Sequence, residues 1–185
     1  ADTADASVGN IAIGNVDIAV GAVGDATICL ENCATVSHTG NATAGNIHVG
    51  AVNIDIAQSG DLEVCLINCA TADTGTAMVG DITVGTMIVD VANCGCVETF
   101  DITNYAYVST EGDAIVGNVS LGNLVFTVGD DACGLDMSID NCAYASDGTA
   151  TAGKLTMGNV DVTVGDDSCF EFDANNEAWA YGEGN

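Results

Sequence analysis

Hydrophobic and polar positions alternate with period two in a block that recurs five times along the chain. The block reads Gly-x-Φ-x-Φ-Gly-x-Φ-x-Φ-x-Φ, where Φ is aliphatic or Phe. Its copies begin at Gly9, Gly45, Gly80, Gly117 and Gly153, so they lie 36, 35, 37 and 36 residues apart. Such alternation predicts strands with one buried and one wet face. In the first copy the apolar positions are Ile11, Ile13, Val16, Ile18 and Val20; in the fourth they are Val119, Leu121, Leu124, Phe126 and Val128. Across a second Gly in each copy (Gly14, Gly50, Gly85, Gly122 and Gly158) the step between apolar residues becomes odd. A straight strand would then turn its second half outward. A corner or bulge at Gly is expected to restore the inward face, because Gly reaches the required backbone angles at no steric cost.

The rest of each repeat is more divergent. It reads ICLENCATVS, VCLINCATAD, FDITNYAYVS, MSIDNCAYAS and FDANNEAWAY, with Asn-x-Ala as its fixed element at Asn32, Asn68, Asn104, Asn141 and Asn176. Alternation places Asn32 on the side of Ile28, Leu30, Ala34 and Val36. An inward amide is costly alone, but amides stacked in register can hydrogen-bond along the stack. The alternative is a local Asn turn capped by its own backbone. Connectors such as SHTGNATAG and STEGDAIVG read as turns. Proline is absent, so Gly, Asn, Asp and Ser must make them.

A period of this length signals a solenoid. The expected fold is all-β: a parallel β-solenoid of five repeats of about 36 residues, covering approximately 8–43, 44–77, 78–114, 115–150 and 151–185 in a single domain 1–185. One coil could hold the whole repeat, or each repeat could make two windings. The alternative is a β-sandwich or barrel of repeated hairpins, with antiparallel pairing.

Register turns positions into columns. Cys29 and Cys65 share one, and Cys33, Cys69 and Cys142 another. Cys96 and Cys133 each lie eight residues before the fixed Asn. In-register parallel neighbours are close enough to bridge. The expected disulfides are therefore Cys29–Cys65, Cys33–Cys69 and Cys96–Cys133. The competing scheme closes Cys29–Cys33 and Cys65–Cys69 locally. With nine cysteines, at least one thiol is left over. The CxxxC and CxC spacings do not match a zinc site.

Composition narrows the function. The net charge is -26, from 27 Asp and Glu against one basic residue, Lys154. That excludes nucleic acid and anionic lipid as partners, and no apolar run is long enough to span a bilayer. The cysteine content fits an oxidising compartment, and an opening ADTADA without Met suits a secreted, processed chain. Asp25, Asp61, Asp130, Asp131, Asp166 and Asp167 follow the Gly-motif strand in their repeats. They could hold calcium between coils, or serve as solvated turn residues; no other cofactor is suggested. Asn41-Ala-Thr43 and Asn118-Val-Ser120 match the N-glycosylation sequon. His38 and His48 are the only imidazoles, and no catalytic set emerges, so an enzyme is not expected.

One outward column changes from Thr35 and Thr71 to Tyr107, Tyr144 and Trp179, which are candidate interface residues. The first and fifth repeats are as apolar as the middle ones and carry no evident cap. Uncapped solenoid ends invite strand addition. The leading expectation is a secreted subunit of an extracellular or cell-surface filament whose partners are copies of itself. The alternative is a monomeric ice-binding or carbohydrate-adhesive module using one flat face. A pectin-degrading enzyme is a third reading, disfavoured by the lack of basic residues.

Overall fold

The phase break at each second Gly is a corner. In a computed structural model that describes residues 3–182, the chain winds into five coils of four strands each. Coil 1 holds β1 (Ala6–Val8), β2 (Ile11–Ile13), β3 (Val16–Val20) and β4 (Asp25–Thr39). Coil 2 holds β5 (Ala42–Ala44), β6 (Ile47–Val49), β7 (Val52–Ile56) and β8 (Asp61–Thr74). Coil 3 holds β9 (Ala77–Val79), β10 (Ile82–Val84), β11 (Met87–Val91) and β12 (Cys96–Glu111). Coil 4 holds β13 (Ala114–Val116), β14 (Val119–Leu121), β15 (Leu124–Val128) and β16 (Gly134–Ala145). Coil 5 holds β17 (Ala150–Ala152), β18 (Leu155–Met157), β19 (Val160–Val164) and β20 (Phe170–Ala180).

Each strand pairs with its counterpart in the next coil, which gives four parallel five-stranded sheets. Ile18, Ile54, Val89, Phe126 and Val162 form one continuous column. All strand pairing among the described residues is parallel, so the fold is the β-solenoid and not the hairpin sandwich. One coil holds one repeat, which settles the choice left open by the period. The ATA, AMV and AIV segments, expected to be turn connectors, instead contain the three-residue strands β5, β9 and β13. Three residues are too short to display alternation.

The interior has two compartments. The two corner-linked blocks of Ile, Val, Leu, Met and Phe in each repeat pack against the first half of the long sheet, with Ile54, Val89 and Phe126 essentially buried. The second half of the long sheet lies against the β5–β9–β13 sheet across a thinner layer of Ala42, Ala70, Ala77, Ala106, Ala114 and Ala143. Small side chains there let the two sheets approach closely. Entry to that layer is made by stacked glycines: Gly40, Gly75, Gly112 and Gly148 have φ of 154°, 124°, 143° and 140°. A Cβ on Gly112 would collide with the Gly75 carbonyl.

The turn leading into each long strand also repeats. Its third residue has positive φ in every coil: Val23 (56°), Ser59 (61°), Cys94 (63°), Asp131 (55°) and Asp167 (56°). Gly24, Gly60 and Gly95 N–H groups close the first three of these turns onto the carbonyls of Gly21, Ala57 and Ala92. A β-branched residue is strained in this region, whereas Asn and Asp tolerate it. Val23 is 85 % exposed and loses little packing on replacement. Val23→Asn is therefore expected to stabilise the chain by about 1 kcal/mol, read as a raised denaturation midpoint at unchanged slope.

Candidate functional site

The fixed Asn residues form a single hydrogen-bonded column through the interior. Asn32 Nδ2 donates to Asn68 Oδ1 (3.1 Å), Asn68 to Asn104 (3.2 Å), Asn104 to Asn141 (3.0 Å) and Asn141 to Asn176 (2.8 Å). The same amides also donate across the coil to the carbonyl of the first motif Gly. Asn32 and Asn68 reach Gly45 O (3.3 and 2.9 Å), Asn104 reaches Gly80 O (3.1 Å), and Asn176 reaches Gly153 O (3.0 Å). The column thus stands between the two compartments and satisfies corner carbonyls that face inward. No buried side-chain N or O among the described residues lacks a partner. The ladder has a direction: among the described residues Asn32 Oδ1 accepts from no further Asn, and Asn176 Nδ2 donates to no further Asn.

A second set of ladders runs along the corners in the opposite sense: the accepting side-chain oxygen lies in the earlier coil and the donating N–H in the later one, whereas the inner column donates from the earlier coil to the later. Asn10 Oδ1 accepts the Asn46 N–H (2.8 Å), Asn46 Oδ1 accepts Asp81 N–H (2.8 Å), Asp81 Oδ1 accepts Asn118 N–H (2.6 Å), and Asn118 Oδ1 accepts Lys154 N–H (2.9 Å). Corner backbone has left the sheet, and these side chains replace the missing strand acceptor. Asn41 likewise accepts the Thr76 N–H at 3.0 Å, so both sequon asparagines serve this role.

The six candidate calcium ligands do not form one column. Asp25 and Asp61 are neighbours at the start of the long strands, and their column continues into Cys96 and Gly134. Asp130 and Asp166 belong to a corner ladder, where Asp130 accepts the Asp166 N–H at 2.8 Å. Asp131 and Asp167 occupy the positive-φ turn position. Counting from the preceding Gly had merged strand-start and turn residues that the turn separates. Among the described residues, no group of three or more His, Cys, Asp or Glu is placed to hold a metal.

Three cross-coil disulfides are present: Cys29–Cys65, Cys33–Cys69 and Cys96–Cys133, with Cα–Cα distances of 4.6, 4.6 and 5.2 Å. The first two join residues directly opposite each other. The third is offset, because an irregularity after Val97 pairs Cys96 with Gly134. Cys94 and Cys169 are exposed and free, and Cys142 is free and buried. The Cys169 thiol donates to the Cys133 carbonyl at 3.2 Å.

Thr35, Thr71, Tyr107, Tyr144 and Trp179 do form one outward column on the long sheet. The Tyr144 hydroxyl is pushed up to about 12, chiefly by burial and then by the neighbouring Cys142. His48 sits in an outward column with Ala12, Thr83, Ser120 and Thr156. His38 lies near the exposed end of β4.

The two end coils are open. Val160, Val162 and Val164 are 43 %, 36 % and 39 % exposed, while their column mates Leu124, Phe126 and Val128 are buried. At the other end Ile11, Val16, Ile18, Ile28 and Leu30 are only half-buried. Among the described residues nothing packs over either face. No protein-family model, curated protein or solved structure matches this chain.

Two outcomes follow from this geometry. Asn104→Ala removes a ladder donor and acceptor and leaves Gly80 O and Asn141 Oδ1 unmatched. It is expected to cost about 3 kcal/mol, against less than about 1 kcal/mol for Asn176→Ala at the open end, both read by chemical denaturation. Asp101 is held above the ordinary carboxylate range by burial, then by the charges of Asp136, Asp140 and Glu63. An acid with a raised folded-state pKa binds its proton more tightly when folded, so its contribution is lost as pH rises through that value. The melting midpoint is expected to rise as pH falls from neutral toward the carboxylate range, and Asp101→Asn should flatten part of that slope.

Proposed function

We propose that this protein is the structural subunit of an extracellular filament that grows head to tail, with coil 1 of one copy added to coil 5 of the next. The observation that carries the reading is the directional Asn column, whose free donor and free acceptor lie at opposite ends of an otherwise continuous register. One further step of that register places Asn176 Nδ2 against Asn32 Oδ1. It also lays Val160, Val162 and Val164 over Val16, Ile18 and Val20, and Phe170 and Phe172 over Ala26 and Ile28. The large rings of coil 5 then meet a smaller residue and an Ile in coil 1. Asn159 Oδ1 would accept the Asn15 N–H, as Asn123 Oδ1 accepts that of Asn159. Burying the remaining exposed part of each Val contributes on the order of 1 kcal/mol, and backbone pairing needs no charge complementarity.

Charge opposes the union. Asp161 and Asp17 share a column and would become neighbours at the junction. Each copy adds a net charge of -26 over five coils, which span about 24 Å at about 4.8 Å per coil. Added salt or mild acid weakens that repulsion. Three cross-coil disulfides fit an oxidising compartment, and no helix is long and apolar enough to cross a membrane. The adhesive or ice-binding alternative draws little support, because the Thr columns are short: Thr83, Ser120 and Thr156 on one face, Thr127 and Thr163 on another.

Negative-stain microscopy of the oxidised protein tests the reading. Filaments with an axial repeat of about 24 Å are expected, appearing sooner in raised salt or mild acid and sooner for Asp161→Asn. Val162→Asp is expected to abolish them while leaving the melting curve of the monomer nearly unchanged. A protein that stays monomeric at high concentration across those conditions would overturn the proposal.

A further inference from the structure

The Tyr and Trp side chains of coils 3 to 5 gather on the outer face of the long sheet and its end. Tyr105 and Tyr107 lie parallel with ring centroids 6.2 Å apart, Tyr105 and Tyr144 are 5.7 Å apart, and Trp179 and Tyr181 are parallel at 6.0 Å. Tyr107, Trp179 and Tyr181 are 36 %, 47 % and 58 % exposed. The patch is braced from within: Glu177 accepts the Trp179 Nε1–H at 2.8 Å and lies 3.5 Å from the Tyr144 hydroxyl. Two stacked ring pairs, with Tyr144 tilted at 48° to Tyr105 between them, offer braced apolar ring surface.

Carboxylates lie along the same face. Asp101, Asp136, Asp140 and Asp173 alternate with the inward Phe100, Ile102, Leu135, Met137 and Ile139, so they point outward on the strands that carry the rings; Asp101 and Asp140 precede Tyr105 and Tyr144 by four residues, and Asp136 and Asp173 lie further along. The Asp101 carboxyl is raised first by burial and then by the charges of Asp136, Asp140 and Glu63 on this face. The chain cannot neutralise them. Its one basic side chain, Lys154, lies at the corner leading into β18, on a different sheet. A second copy of the chain carries the same charge and cannot do so either. A neutral saccharide would stack on the rings but leave the charges unrelieved.

We propose that this patch binds an arginine-rich segment of a partner protein. Guanidinium is the group that answers both features, since it stacks on aromatic faces and pairs in a fork with carboxylates. Outward positions along a strand recur every two residues, about 6.7 Å apart, so an extended segment lying along the strands would present alternate side chains to the row. The face is lateral to the solenoid axis and stays open whether or not the end coils join, so the inference stands independently of filament growth.

The test titrates the full-length oxidised chain with hexa-arginine and hexa-lysine peptides by calorimetry, with Trp179 fluorescence as a second signal. The arginine peptide is expected to bind several-fold more tightly. The double variant Tyr107→Ser/Tyr144→Ser should weaken it about tenfold at unchanged net charge. Tyr107→Phe/Tyr144→Phe, which keeps the rings, should bind as the parent does. Asp55→Asn/Asp90→Asn, on the remote β7–β11 face, should have little effect. Melting curves confirm that the variants fold. Equal binding of both peptides, insensitive to loss of the rings, would reduce the effect to bulk polyanion attraction and overturn the proposal. So would ring-dependent binding of a neutral oligosaccharide in place of the arginine peptide.

Discussion

A buried primary amide must find partners for two protons and an oxygen, and in this protein it does so only when every coil is in register with the next. The column from Asn32 to Asn176 meets that demand by passing one hydrogen bond up the axis and sending another across to a corner carbonyl. A slip of one residue would put each Asn outward and an apolar or charged residue inward, so the column penalises every other pairing at once. The rest of the architecture follows from that register. Cysteines that share a rung come within bonding distance, glycines that share a turn stack with no room for a Cβ, and corner Asn and Asp side chains meet the N–H groups of the next coil.

Register also gives the molecule a direction. The inner ladder runs from an amide N–H in one coil to a side-chain oxygen in the next, and the corner ladders run from a side-chain oxygen to an N–H in the next, so the two ends are chemically different and complementary. A uniform apolar stack alone would have left the ends alike. The charge works against this complementarity. Acids placed outward keep the lateral faces wet, while the axial faces are apolar and rich in backbone donors and acceptors, which is why the proposed assembly runs through them. Where acids lie along the same face as aromatic rings, the same excess of charge makes a surface suited to a cation.

Much of this was legible in the chain itself. The inward residues of the Gly motif, the inward Asn and the outward Thr35–Trp179 column could be read because long strands display period two over many residues. The disulfides were legible by counting back from the fixed Asn. That count succeeded for Cys96–Cys133 although the strands are not evenly matched there, because the irregularity shifts the pair by one residue and not by a whole rung. The division of the Asp positions was not legible, for the opposite reason. Turn, corner and strand-start residues sit within a few positions of one another, and only their φ angles and partners tell them apart. The three-residue strands escaped notice because Ala-Thr-Ala carries no alternation that differs from a turn.

The sequence by itself determined the repeat, which face of each strand is apolar, and which columns hold Asn, Cys and aromatic side chains, because these depend on spacing along the chain. The tertiary structure decided that one repeat makes one coil, that the thin compartment is built from Ala under stacked glycines, and that the six aspartates divide among three environments. Those features depend on how the chain turns at corners, where a few degrees of backbone rotation settle which residues face each other across space.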